Sequence, residues 1–292
     1  MTTRSFAVIG DPVGQSASPR MHRAAYGALG LHGTYDAIRA TDEDLPGLFA
    51  RLRAGELDGL NVTIPLKRRV FELADRVDAS AAVAGAANTL ARADDARIVA
   101  YNTDVAALAA ELRDLAKNVP PDGWRRALVL GTGATARSAI VALAAHLGVA
   151  QITVRGRALV DGERKEAFAT ELTELLRRAG SACAWTLEPW APNAATDREV
   201  LAVVQATSVG MPGGDPGDRA AEAVAWSAMP PGAIALDVVY ASAETPFLAA
   251  AAARGMSVRD GRGMLARQGA LAFELWWGRP APLSVMRAAI AG

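Results

Sequence analysis

Three lysines stand among 31 basic residues, the rest being arginine. Lysine can give up its proton where its surroundings demand it, whereas arginine in practice cannot. Of the three, Lys67 is placed for chemistry. It closes Asn61-Val62-Thr63-Ile64-Pro65-Leu66-Lys67, polar groups at the end of a strand-like run with a lysine one turn later. Lys117 and Lys165 fall after a helix and in a charged stretch, where a solvated face accounts for them. Two more polar clusters occur in the N-terminal half. One is the loop Gly14-Gln15-Ser16-Ala17-Ser18-Pro19; the other combines Ala87-Asn88-Thr89 with Asn102-Thr103-Asp104. Amides, hydroxyls and a carboxylate at strand ends beside helix starts suit recognition of a small polyhydroxylated ligand. Each also has a plainer use: one serine suffices to cap a helix, Asp104 can cap its own helix, and Asn88 can turn the chain.

A second kind of site begins at Gly131. Ala127-Leu128-Val129-Leu130 leads into Gly131-Thr132-Gly133-Ala134-Thr135-Ala136, and a helical stretch over 137–147 follows. This is G-x-G-x-x-A between a strand and a helix, the context of a dinucleotide-binding turn. Gly131 allows the tight turn, Gly133 lets the backbone approach a pyrophosphate, and Ala136 keeps helix and strand close. The helix start then offers unpaired N–H groups to phosphate. After the next strand (151–154), an NAD site usually places a carboxylate on the ribose hydroxyls. Here stand Arg155-Gly156-Arg157, with Arg164 and Lys165 beyond. Guanidinium groups bind a 2′-phosphate with forked hydrogen bonds. NADP is therefore expected over NAD, with Arg155 and Arg157 as readers.

The elements that must hold these groups alternate between strand-like and helix-length runs, which favours a parallel α/β architecture. Strands are expected at 6–10, 34–39, 59–64 and 127–130, and helices at 19–29 and 42–53. Gly30 sits where a C-cap belongs. Pro65 is read as opening a helix, a favoured first-turn position. Residues 88–93 and 97–101 resemble a hairpin joined through Asp94-Asp95. A helix over 104–116 precedes Asn118-Val119-Pro120-Pro121-Asp122-Gly123, the clearest linker signal. Two last helices, 263–277 and 283–290, are apolar along wide faces.

Bulk properties exclude other classes. The 31 basic residues balance 31 acidic ones, which gives no electrostatic case for nucleic acid or an acidic membrane. Half of the residues are hydrophobic and 21% are charged, the mark of a folding chain. One cysteine cannot form an internal disulfide, and three scattered histidines offer no metal-ligand spacing. No apolar run of about 18 residues occurs, and residues 1–10 lack a secretory pattern. A soluble, cytoplasmic, metal-free protein is expected.

Taken in order, the clusters resemble the shikimate dehydrogenase family over nearly the whole chain. The matching stretches include Ser16 and Ser18, residues 61–67, Gly85-Ala86-Ala87-Asn88-Thr89-Leu90, Asn102-Thr103-Asp104 and the glycine loop. Beyond them come Ala206-Thr207-Ser208-Val209-Gly210-Met211, Asp237-Val238-Val239-Tyr240 and Asp260-Gly261-Arg262-Gly263-Met264-Leu265 with Gln268. The resemblance implies an N-terminal α/β substrate domain (1–103, with helices from about 265–292 returning to it). It further implies a Rossmann-type, doubly wound NADP-binding domain (104–264) and an active site in the cleft between the two. The implied reaction is reversible reduction of 3-dehydroshikimate to shikimate with NADPH, in the biosynthesis of chorismate and aromatic amino acids. The partners so implied are a small-molecule substrate and no nucleic acid or membrane, for a monomer or homodimer. Lys67 and Asp104 match the catalytic pair. Ser16, Ser18, Asn61, Thr63, Asn88, Tyr240 and Gln268 match substrate positions. Gly131, Gly133, Ala134, Thr135, Ala136, Thr207, Ser208, Val238, Gly261, Gly263 and Met264 match cofactor positions, Met264 and the Gly263 backbone near the nicotinamide.

The chain departs from that pattern in three places. Gly156-Arg157-Ala158 replaces a usual Asn-Arg-Thr, followed by an insertion-like stretch at 159–163. Gln205 stands where asparagine is common, and Arg262 replaces a usual leucine, a charge near the cofactor. Two readings remain beside the main one: a quinate or quinate/shikimate dehydrogenase using NAD or NADP, and a catalytically inactive dinucleotide-sensing protein. Retention of both Lys67 and Asp104 argues against the sensor.

Overall fold

The computed structural model describes residues 3–117, 125–211, 214–240 and 244–291. The linker expected at 118–123 lies outside them. The chain forms two compact units, one of residues 1–107 with 265–292 and one of 108–264.

The first unit carries β1 (Arg4–Gly10), α1 (Ser18–Ala28), β2 (Gly33–Arg39), α2 (Leu45–Ala54) and β3 (Gly59–Val62). There follow α3 (Lys67–Leu73), β4 (Arg76–Val77), α4 (Ala79–Ala84), β5 (Thr89–Arg92), β6 (Ile98–Tyr101) and the start of α5 (Asp104–Leu115). Its sheet runs β2-β1-β3-β5-β6-β4. The β5–β6 hairpin pairs antiparallel within itself and to β3, so this sheet is mixed rather than parallel throughout. Pro65 does not open a helix. Leu66 N–H donates to the Thr63 carbonyl, closing a turn around Pro65, and α3 starts at Lys67. The helix expected over 42–53 begins as a short 3₁₀ turn, Asp42–Asp44, in which Thr41 and Asp44 bond reciprocally.

The last helices, α11 (Arg262–Trp277) and α12 (Leu283–Ala289), complete this unit from Leu265 on. Phe6 stacks on Trp276 at 4.7 Å, and the indole N–H donates to the Leu90 carbonyl at 3.0 Å. Met21, Tyr26, Tyr35, Phe273 and Met286 fill the same core. Each such side chain contributes roughly 1.5–3 kcal/mol by leaving water. A separate core on the other face gathers Ile9, Leu45, Phe49, Leu52, Leu60 and Val70.

The second unit holds β7 (Arg126–Leu130), α6 (Ala134–Val141), β8 (Gln151–Gly156), α7 (Gly162–Arg178), β9 (Ala184–Pro189) and α8 (Ala194–Asp197). It ends with β10 (Ala202–Gln205), α9 (Asp218–Glu222), β11 (Ile234–Asp237), α10 (Pro246–Ala252) and β12 (Ser257–Arg259). Its strands pair in the order β12-β11-β10-β7-β8-β9, all parallel. From β7 the chain winds outward through β8 and β9, then restarts at β10 on the other side. That is the doubly wound order, whose switch point lies between β7 and β10. The stretch 159–163 has a local purpose: it finishes a 3₁₀ turn and supplies Asp161, whose side chain accepts from Arg164 N–H and caps α7. Among the described residues no helix is long and apolar enough to cross a membrane, and no cluster of His, Cys, Asp and Glu is arranged for a metal.

Candidate active site

In the first unit, β3 ends at Val62, one turn leads to Lys67 at the start of α3, and β6 delivers Asp104 to the start of α5. Lys67 Nζ lies 2.7 Å from Asp104 Oδ2, with side chains 11% and 4% exposed. Which residue caps α5 decides what Asp104 is for. Asn102 does the capping: its Oδ1 accepts from the Asp104 and Val105 N–H groups at 3.1 and 3.2 Å. The Asp104 carboxylate is thus released toward Lys67 and Asn88, in a first turn where the helix dipole favours an anion.

Asn88 is the hub around that pair. Its Nδ2 lies within hydrogen-bonding distance of Asp104 Oδ1 (2.8 Å), Thr103 Oγ1 (2.9 Å) and Gln268 Oε1 (3.3 Å). Its Oδ1 accepts from Thr103 N–H at 2.8 Å. Asn61 Nδ2 donates to Thr89 Oγ1 at 3.0 Å and lies 3.3 Å from the Asn88 carbonyl. Buried amides are costly unless bonded, and here nearly every lone pair and proton is used, which fixes orientation. Ser16 Oγ accepts from Ser18 N–H at 3.3 Å, and no side chain among the described residues caps the start of α1. Ser18 is buried, whereas Ser16 and Thr63 are half-buried. The structure therefore gathers Lys67, Asp104, Asn88, Asn61 and Gln268 into one bonded network, with Thr89, Asn102 and Thr103 joining it. Tyr240 belongs to the second unit.

Tyr35 joins this network from outside the polar clusters of the sequence. Its hydroxyl donates to Asn61 Oδ1 at 2.7 Å, and its ring stacks on His22 at 4.2 Å with planes 4° apart. Among the described residues, neither nitrogen of the wholly buried His22 has a hydrogen-bond partner, and burial pushes its imidazole down to about 3. A strand tyrosine and a helix histidine read as ordinary core in sequence. Only the β2-β1-β3 order brings Tyr35 and Asn61 together.

In the second unit the glycine loop leaves β7 at the switch point. Gly131 has φ +118°, and a Cβ there would lie 2.8 Å from Thr207 Cγ2, so two strand-end loops touch only because it is glycine. At Gly261 a Cβ would lie 2.1 Å from the Val238 carbonyl, holding the loops after β11 and β12 together. Among the described residues nothing lies within 4 Å of where a Cβ on Gly133 would be, and α6 starts at the next residue, Ala134. Thr135 is half-buried and Ala136 fully buried. An open backbone at a helix start fits a pyrophosphate.

The loop after β10 is stapled by Gln205, whose Oε1 accepts from Thr207 N–H and Oγ1 at 2.6 and 2.7 Å and whose Nε2 donates to the Val209 carbonyl. Ser208 is exposed, while Val238 and Gly263 are half-buried and Met264 is buried. Asp237, at the end of β11, accepts from Thr245 Oγ1 and Val239 N–H, and burial pushes its carboxyl up to about 6. Arg262 pairs with Asp260.

The two arginines expected to read the 2′-phosphate part company. Arg155 is fully buried; it bonds Asp197 at 2.6 and 3.0 Å, Glu188 at 2.8 Å and the Ala223 carbonyl at 2.9 Å. Its donors are committed to holding β8, β9 and α8, so it is no phosphate reader. The cause is that β8 runs on through Gly156, keeping Arg155 inside the sheet. Arg157, just past the strand, is half-exposed and pairs with Asp215.

Family models match at both ends of the chain: the shikimate dehydrogenase substrate binding domain over residues 8–90 and the shikimate 5'-dehydrogenase C-terminal domain over 261–291. A shikimate dehydrogenase (NADP(+)) of Microcystis aeruginosa is 35% identical over 99% of this chain and 96% of its own length. The chain belongs to the shikimate dehydrogenase family. Among solved structures, a shikimate 5-dehydrogenase from Thermus thermophilus, in complex with NADP(H) and shikimate, matches 98% of both chains at TM-score 0.76 and 32% identity. The ligand-free 5-ketofructose reductase of a Gluconobacter strain matches 100% of this chain and 99% of its own at TM-score 0.82 and 27% identity. Against the shikimate dehydrogenase pattern, Gln205 departs in side-chain length yet holds its loop, and Gly156-Arg157-Ala158 offers one outward guanidinium.

Proposed function

We propose that the chain is an NADP-dependent shikimate dehydrogenase, reversibly reducing 3-dehydroshikimate to shikimate in the route to aromatic amino acids. The first unit takes the ring and the second takes the dinucleotide. The observation that carries the reading is the buried Lys67–Asp104 pair, freed from helix capping by Asn102 and oriented by Asn88.

Bound NADPH supplies a hydride. As the carbonyl carbon receives it, the oxygen gains negative charge and needs a proton. Lys67 Nζ stabilises that charge and delivers the proton, and in the reverse direction takes it back. Asp104 aims the ammonium. Ser16, Ser18, Asn61, Thr63, Asn88, Tyr240 and Gln268 hold the ring hydroxyls and carboxylate. Gly131, Gly133, Ala134, Thr135 and Ala136 receive the pyrophosphate, and Arg157 receives the 2′-phosphate. Thr207, Ser208, Val238, Gly261, Gly263 and Met264 line the rest of the cofactor.

The test is steady-state turnover of the purified protein with shikimate and with quinate, each with NADP and with NAD, and of 5-ketofructose in the reducing direction. Shikimate with NADP is expected to give the highest kcat/KM. Quinate or 5-ketofructose ahead of shikimate would reassign the substrate, and no turnover with any of them would overturn the reading.

A further inference from the structure

Arg157 follows β8 and Asp215 comes after β10, strands that β7 separates in the sheet. Their ion pair therefore crosses the strand end from which the glycine loop departs. The loops are in contact there: a Cβ at Gly156 would lie 2.8 Å from Thr132 Cγ2, as one at Gly131 would from Thr207 Cγ2. Asp215 is presented from an anchored backbone, its carbonyl accepting from Gly210 N–H at 2.9 Å. Arg155, wholly engaged by Asp197 and Glu188, cannot exchange partners. Arg157 can, because it and Asp215 are 49% and 39% exposed.

We propose that Asp215 is a specificity-determining residue that limits the preference for NADP over NAD by competing with the 2′-phosphate for Arg157. This rests on the dinucleotide reading above. A 2′-phosphate carries close to two negative charges at neutral pH, and a guanidinium shared with a carboxylate puts those anions against each other. The phosphate displaces Asp215 and is favoured by the difference between two contacts, not by one whole contact. A 2′-hydroxyl asks nothing of the pair, so NAD binds with it intact. Asp215 thus weakens one cofactor and spares the other.

The experiment measures dissociation constants by calorimetric titration, without turnover. The probes are NADP+, NAD+ and adenosine 2′,5′-bisphosphate, and the proteins are wild type, Asp215→Asn, Arg157→Ala and the double variant. Asp215→Asn is expected to tighten NADP+ and the bisphosphate about two- to fivefold, the scale of an exposed ion pair, and to leave NAD+ unchanged. The gain is expected to shrink at high salt and to vanish when Arg157 is already alanine. Unchanged or weaker NADP+ binding in Asp215→Asn, or equal tightening of both dinucleotides, would overturn the proposal alone. Wild-type protein that binds neither dinucleotide would overturn the functional reading and the role of Asp215 with it.

Discussion

Lys67–Asp104 in the first unit and Arg157–Asp215 in the second are each a cation against a carboxylate near the end of a strand, yet water separates what they can do. The first pair is buried and its carboxylate is gripped by Asn88; the second stands half in solvent. Removing water strengthens and fixes a charge contact, which suits aiming a proton. Leaving water in keeps the contact exchangeable, which suits greeting an incoming phosphate. Arg155–Asp197 is a third case: as buried as the first, but built only into the fold.

The largest effect is expected from removing the buried arginine. Arg155→Met strands the Asp197 carboxylate in the interior and is expected to cost about 3–5 kcal/mol of stability, read by denaturant melts. Turnover per folded molecule should change little. A variant as stable as the wild type would show that burial does not divide these pairs.

Acid is expected to part the two units. Burial holds His22 down at about 3 against its ordinary 6.5, so the unfolded chain takes up the proton first. The first unit is therefore fully stable above pH 6.5 and loses stability as pH falls toward 3. Asp237, raised from 3.8 to about 6, works the other way: the folded second unit takes up the proton first and gains stability as pH falls through 6. At pH 5 His22 alone takes roughly 2 kcal/mol from the first unit and Asp237 alone adds roughly 1.4 kcal/mol to the second, a gain that burial of His146 partly offsets. Hydrogen exchange followed by mass spectrometry across pH 7 to 5 should show protection falling chiefly in residues 3–107 and 265–291. A uniform loss would contradict the assignment.

Much of the second unit was legible because its signal is local: strand, glycines and helix follow one another within about twenty residues. The polar clusters were legible as clusters, and their order pointed to the family. Their internal division of labour was not. Asn102 and Asp104 both sit at a helix start and either can cap it; only the hydrogen bonds show which one does. Arg155 and Arg157 read alike because their fates turn on β8 running two residues farther than its apolar run, and on Asp197, 42 residues away. Tyr35 was invisible for the same reason, its partner Asn61 being brought near by sheet order.

Tyr35→Phe tests the buried network around Lys67 and Asp104. It leaves Asn61 Oδ1 without its donor, and is expected to cost about 1–3 kcal/mol and to raise the KM for shikimate more than it lowers kcat. An unchanged KM would mean that the network tolerates loose orientation. Arg157→Ala probes the half-exposed pair and should barely touch the fold, shifting stability by less than about 0.5 kcal/mol. Its effect should fall on the KM for NADP, raised about fivefold because the phosphate loses its margin over Asp215 at a half-exposed guanidinium, with that for NAD unchanged. Equal effects on both would remove Arg157 as the phosphate reader.

The proposed mechanism turns on Lys67 moving a proton rather than merely supplying charge. Single-turnover reduction of 3-dehydroshikimate by NADPH, compared in wild type, Lys67→Arg and Lys67→Ala, tests that role most directly. Arginine keeps the charge and the pairing with Asp104 but does not release its proton. Both variants are expected to bind shikimate and to lose at least about a hundredfold in rate, the scale of a general acid–base. A Lys67→Arg enzyme running near the wild-type rate would contradict the proton-transfer role.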